Sequence, residues 1–182
     1  MSTGRIGLPG FSSPAAGFDE PFAMLDACHE RVRRSLGLLA RLVDHVAAHG
    51  SDGSARGAAA DVLRYFDLAA PRHHEDEELH VFPPLLASDD QSLHAVVQRL
   101  AADHALMHEA WGALRPLLQD VSAGADGVSP AALRDAAARF ASLYGEHIAL
   151  EEQRVYPAAR AALDAAALRL MGEDMQRRRQ AH

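Results

Sequence analysis

An all-α fold follows from three features of this chain of 182 residues. Ala and Leu dominate it while aromatic and β-branched residues are scarce, a balance that favours helix over sheet. Its apolar residues recur at alternating spacings of three and four, the period of one helix face. Gly, Ser, Asp and Pro gather in short clusters between the long periodic runs. Short connections between long helices make antiparallel neighbours, so the expected architecture is an up-down-up-down antiparallel four-helix bundle with a short C-terminal fifth helix. Residues 1–18, Gly, Ser, Pro and Phe without periodicity, are expected to form a flexible leader. Residues 19–182 are expected to form one domain, long enough to bury a core without staples.

The first helix should begin at Pro21, with Asp19 or Glu20 near its start and Pro in the first turn. Its apolar positions are Phe22, Leu25, Val32, Leu36, Leu39, Val43 and Val46, and His29 fills the gap in that seam. Gly50-Ser51-Asp52-Gly53 ends it. The second helix is expected from about Ser54 to Leu86, with Val62, Phe66, Ala69, His73 and Glu77 down one face and a kink at Pro71. Ser88-Asp89-Asp90 breaks and caps the chain. The third helix carries Leu93, Val97, Leu100, His104, Met107, Trp111, Leu114, Leu118 and Val121, with His108 one turn beyond His104. A loop follows at Gly124-Ala125-Asp126-Gly127, then Ser129-Pro130 as N-cap and first helical residue. The fourth helix shows Leu133, Ala137, Phe140, Tyr144, His147 and Glu151 on one face. A last amphipathic segment, Asp164 to about Gln180, packs Leu168, Met171 and Met175; its Arg177-Arg178-Arg179 reads as a solvated end suited to the helix dipole.

Charge and composition narrow the function. Eighteen basic against twenty-five acidic residues give a formal net charge of −7, which argues against a nucleic-acid surface. The single Cys28 excludes an internal disulfide framework and a Cys-type zinc site. No apolar run is long enough to cross a membrane, and no apolar segment follows Arg5 as in a secretory signal, so the cytoplasm is the expected location. Nothing matches a Ser-His-Asp arrangement, a phosphate loop or a dinucleotide fingerprint.

The chemistry lies in a motif written twice. His73 precedes Glu77-Glu78 and His147 precedes Glu151-Glu152, each His four residues before the first Glu, and each motif runs on to Val81-Phe82-Pro83 or Val155-Tyr156-Pro157. Residues at i and i+4 share a helix face. Each half of the chain thus reads as a helix with one seam His, then a helix with His-x-x-x-Glu. His29, His73, His104 and His147 occupy seams on four helices, and Glu77 and Glu151 stand one turn beyond two of them. Buried carboxylates without a counter-ion cost several kcal/mol each, on the order of the domain's whole stability, and a central cation removes that cost. Imidazoles and carboxylates without thiolate suit iron, manganese or zinc, and carboxylates on facing helices can bridge two ions. His45, His49, His74, His80 and His94 are read as lying outside the site, with His74 about 100° around the helix from His73. The repeat sets the register, aligning Glu77-Glu78 with Glu151-Glu152. Tyr144, one turn before His147, reads as packing or as a donor behind the ligands.

With the His of the first helix, His-x-x-x-Glu-Glu of the second, His104-x-x-x-His108 of the third and His147-Ile148 with its carboxylates in the fourth, the chain resembles the hemerythrin-like, or HHE cation-binding, domains over about residues 20–163. The resemblance implies a non-haem di-iron centre with a bridging oxide or hydroxide, zinc or manganese being the other candidate ions. It assigns His29 and His73 to one iron, His104, His108 and His147 to the other, and Glu77 and Glu151 to bridges. Oxygen-binding hemerythrins place an Asp five residues after the fourth-helix His; here a Glu stands at four and Glu152 at five. The implied function is binding of oxygen or nitric oxide, or sensing of iron or redox state, rather than catalysis. The alternatives are a di-iron enzyme of peroxide reduction, iron oxidation or iron–sulfur cluster repair, and a bundle whose metal is structural. No fused signalling module or extra Cys-bearing segment is seen, so a stand-alone metal-binding domain is expected. Counting ligands leaves one position open on the iron of His29 and His73, where Arg33 takes the place of a second His, with entry expected near Leu25, Val32 and Phe66.

Overall fold

The computed structural model describes residues 17–180, so the expected leader lies outside the described residues except for Gly17 and Phe18. Five helices follow in order. α1 is Pro21–His49. α2 spans 53–86 as an α segment Gly53–Asp76, a π-helical turn Glu77–Val81 and a closing segment Phe82–Leu86. α3 is Gln91–Ala123. α4 spans 130–162 as Pro130–Ser142, Tyr144–Leu150, a second π-helical turn Glu151–Val155 and Tyr156–Ala162. α5 is Ala165–Gln180. No strand occurs among the described residues.

The boundaries have local causes. Asp52, Asp90 and Ser129 each accept a hydrogen bond from a backbone N–H of the first turn they cap, on α2, α3 and α4. Gly124 ends α3 in the left-handed conformation, φ 72°, where a side chain would be strained. Pro71 lies inside the α segment of α2, and the loss of α-helical regularity falls later, at the π-helical turns before Pro83 and Pro157. A proline ring collides with the carbonyl four residues back, and widening the preceding turn relieves that collision. The N–H groups of Phe82 and Tyr156 accordingly bond the carbonyls of Glu77 and Glu151, five residues back.

α1 packs on α2, α2 on α3, α3 on α4 and α4 on α1, a closed helical bundle. Its core is two apolar layers. One holds Val32, Ala70, Met107 and Tyr144; the other holds Leu25, Val81, Leu100 and Val155. On every helix of the ring the seam histidine falls between a residue of one layer and a residue of the other. The polar centre is therefore sandwiched between two apolar slabs.

α5 lies along α1 and buries Met171 and Met175 in the second layer. The Arg run at its end is not the solvated terminus expected. Arg178 and Arg179 donate to the fully buried Asp76 at 2.7 and 2.5 Å, and each is 18% exposed. The reason is Asp76: a carboxylate forced inside by its place between His73 and Glu77 needs cations, and α5 supplies them.

Candidate metal centre

His29, His73, His104 and His147 are all buried, and Glu77 and Glu151 are fully so. Their imidazoles turn Nε2 inward. Glu77 sets one oxygen 3.6 Å from His73 Nε2 and the other 3.4 Å from His104 Nε2. Glu151 sets one oxygen 3.1 Å from His29 Nε2 and the other 2.9 Å from His147 Nε2. Each carboxylate thus reaches toward both halves of the chain. Glu77 and Glu151 face in, while the side chains of Glu78 and Glu152 are 50% and 32% exposed.

Those outer carboxylates still serve the imidazoles. Glu152 accepts from His29 Nδ1 at 3.0 Å, Glu78 from His104 Nδ1 at 2.8 Å, and Asp103 lies 3.4 Å from His147 Nδ1. A proton held on Nδ1 leaves the Nε2 lone pair for the centre, the arrangement by which proteins orient histidine ligands. His73 Nδ1 is buried without a partner among the described residues, for Cys28 stands where the repeat has Asp103.

Among the described residues, four inward atoms, Glu77 Oε2, both Glu151 oxygens and His104 Nε2, make no hydrogen bond, although imidazole nitrogens stand 2.9–3.4 Å from the carboxylates. Each such atom costs about 1–3 kcal/mol when left unpaired, and a cation among them would satisfy all four. The donor set fits a metal: ligand atoms of His29, His73, Glu77 and Glu151 lie within 4.8 Å of one another, and so do those of His74, His104 and His147.

The electrostatics tell the same story. Burial and the neighbouring Glu77 charge push the Glu151 carboxyl up to about 8. Burial works against the Glu77 charge too, but His73 and His104 outweigh it and hold Glu77 well below the usual carboxylate range. Without a cation the pair therefore keeps one proton between them. Burial drives His73 down to about 4, and lowers His74 and His147 as well, so these rings are neutral near pH 7. Burial also opposes the charge on His29 and His104, but their carboxylate contacts, to Glu151 and to Glu77 first, raise both.

Two residues differ from the sequence reading. His74, expected outside the site, joins His104 and His147 and stacks on His104, ring centroids 3.9 Å apart. A helix in a bundle has two inner neighbours, so adjacent residues about 100° apart can both face inward, one toward each. His108, expected beside His104, is exposed and outside both groups; four residues on is a full turn, about 6 Å further along the axis.

Tyr156 stands in the repeated motif but was not among the expected site residues. Its hydroxyl donates to Glu77 at 2.5 Å and lies 3.1 Å from His29 Nε2, and its ring stacks on His29. Five residues past Glu151 is about 140° around a regular α-helix, off the site's face. The π-helical turn absorbs one residue and swings Tyr156 back. The signal available was Pro157, repeated at Pro83.

Access also differs from expectation. A cavity of about 390 Å³ opens between α2 and α3 and reaches His74 and His104; Phe66 lines it, whereas Leu25 and Val32 are buried in the two apolar layers. His45, His80 and His94 bond Asp52, Asp174 and the Ser88 carbonyl, away from the centre.

A family model, the hemerythrin HHE cation binding domain, matches residues 20–159. An uncharacterized protein of Haemophilus influenzae is 36% identical over 166 residues, covering 91% of this chain and 93% of the relative. The chain belongs to the hemerythrin HHE cation-binding family.

Proposed function

With that membership as premise, we propose that the chain is a non-haem di-iron protein of hemerythrin type, a binder of oxygen or nitric oxide or a sensor of iron or redox state. The supporting observation is the ring of inward Nε2 and carboxylate atoms, several without partners, between two apolar layers. His29 and His73 would hold one ion, and His104 and His147, joined by His74, the other. Glu77 and Glu151 would bridge, each offering one oxygen to either side. His108 is the alternative to His74 that the spacing on α3 suggests. Two irons sharing an oxide or hydroxide would supply Lewis acidity and one-electron chemistry to a small diatomic ligand; zinc or manganese would fit the same donors.

The chain's own residues do the rest. Glu152, Glu78 and Asp103 hold the Nδ1 protons and fix the rings. Tyr156 keeps its proton, since burial and the Glu77 charge raise it well above the ordinary phenol value, and donates to Glu77. The apolar layers close the centre above and below, leaving the cavity between α2 and α3 as the way in. The alternating order in which the two layers occur along α1 to α4 supports the up-down-up-down antiparallel topology. No helix of the described residues is long and apolar enough to cross a membrane, and we place the protein in the cytoplasm on the sequence grounds above.

A second reading, a di-iron enzyme, draws on Tyr156, a buried phenol placed to give a proton in a reduction. Protein purified without added zinc should carry two irons per chain, with a visible spectrum in air that azide changes. One zinc, or a spectrum indifferent to azide, would leave only the structural bundle.

A further inference from the structure

The cavity between α2 and α3 has a construction of its own. Its floor is aromatic and buried: Phe66, Trp111, Phe140 and Tyr144 pack as one cluster, neighbouring ring centroids about 5–6 Å apart in edge or tilted contacts. Met107 completes this apolar part. Its rim is exposed and carries Glu75, paired with Arg178 at 3.1 Å, and Glu78, which accepts from His104, opposite Ala101, Ala105 and His108 of α3. Between floor and rim stand His74 and His104.

Tyr144 is 4% exposed, and its hydroxyl makes no hydrogen bond with the described residues. The hydroxyl lines the cavity, and a polar group in an otherwise apolar wall is what fixes the orientation of a bound molecule. The repeat puts Ala70 at the matching place on α2, so this hydroxyl has no counterpart in the other half of the chain.

We propose that this cavity binds a small neutral aromatic molecule bearing a hydroxyl or carbonyl oxygen, its ring against the Phe66–Trp111–Phe140 cluster and its oxygen accepting from the Tyr144 hydroxyl. The volume, about 390 Å³, admits a molecule of one or two rings. With Glu75 and Glu78 in the lining and, among the described residues, no Lys or Arg there, the site disfavours an anion. The site stands whichever ion the centre holds, and whether or not the di-iron reading is right.

The test uses 4-fluorophenol with the full chain, read by fluorine NMR and by the emission of Trp111, the single tryptophan. Saturable binding that perturbs both signals is expected. Tyr144→Phe should weaken 4-fluorophenol about fivefold, the effect of one neutral hydrogen bond, and leave fluorobenzene unchanged. Ala105→Phe, at the rim, should abolish binding of both probes. The anion 4-fluorobenzoate should bind at least tenfold more weakly than 4-fluorophenol. Circular dichroism and metal content, unchanged in both variants, separate loss of the site from loss of the fold. Absence of saturable binding, equal binding of the benzoate, or a Tyr144→Phe variant that treats 4-fluorophenol like wild type would overturn the proposal.

Discussion

The two halves of the molecule, α1–α2 and α3–α4, carry the same inward-facing histidines and glutamates in different surroundings. His29 answers to His104, His73 to His147, Glu77 to Glu151, and each half has a π-helical turn before its proline. Where the halves differ, they differ around those residues. Tyr156 touches Glu77 and His29 where Phe82 only stacks near His104. Arg33 pins Glu152 at 2.8 Å, while its counterpart on α3 is the exposed His108. Asp76 is clamped by α5, and its counterpart is Leu150. The inward donors and the Glu78 and Glu152 carboxylates behind them are thus repeated, whereas the contacts of Tyr156, Arg33 and the α5 clamp are not.

Removing a shared carboxylate should break both halves together. Glu77→Ala or Glu151→Ala should strip most of the metal, because each spans the two histidine pairs. Glu78→Gln or Glu152→Gln should lower affinity by about 10–100-fold, as loss of a partner behind a ligand does. Metal analysis and competition with a chelator measure both. A Glu78 variant that loses metal while the Glu77 variant keeps it would shift the register by one residue.

The next contrast lies within the second group. His74→Ala should weaken metal binding by more than that 10–100-fold range, while His108→Ala should leave it within a few fold. The reverse outcome would restore the third-helix pair that the His-x-x-x-His spacing suggests.

The α5 clamp exists only beside the first half. Arg178→Ala with Arg179→Ala leaves Asp76 buried without a cation, at a cost of about 3 kcal/mol, or roughly 6–12 °C in Tm for a chain of this size. Thermal unfolding of the metal-loaded protein checks it. A shift under a degree would mean that Asp76 finds solvent when the arginines leave.

The smallest effect concerns the proton shared by the bridges. Glu151 is raised from its ordinary 4.5 to about 8, so its contribution to metal-free stability is lost as pH rises through 8. His29 and His104, also raised, act in the same direction. His73, His74 and His147 are lowered, and they cost stability only as pH falls below about 6.5. Between pH 6.5 and 8.5 the metal-free protein should therefore lose stability, by at most about 1.4 kcal/mol per pH unit for each proton. Glu151→Gln should flatten most of that slope in denaturant titrations. A metal-free wild type already flat in this window would place the shared proton elsewhere.

The helices and the inward donors were legible because each rests on short-range periodicity. A stagger of three and four marks a face, and His29, His73, His104 and His147 sat in those stripes with Glu77 and Glu151 one turn on. The repeat itself chose Glu77 over Glu78, and burial agrees. His74, His108 and Tyr156 were not legible by the same rule. A stripe says what faces inward on average, but which neighbour each side chain meets depends on how the helices surround it.

What the sequence determined by itself is the polar layer, since four histidines and two glutamates on apolar seams can only meet inside. Tertiary structure decided who surrounds them. One extra residue in a π-helical turn rotates everything after it by about 100°, and so put Tyr156 at the centre. Packing of α2 on α3 brought His74 onto His104 and left His108 at the surface. The buried Asp76 drew Arg178 and Arg179 inward from what reads as a solvated helix end. Each of these contacts joins residues far apart in the chain or shifted in helical phase, where local periodicity carries no information.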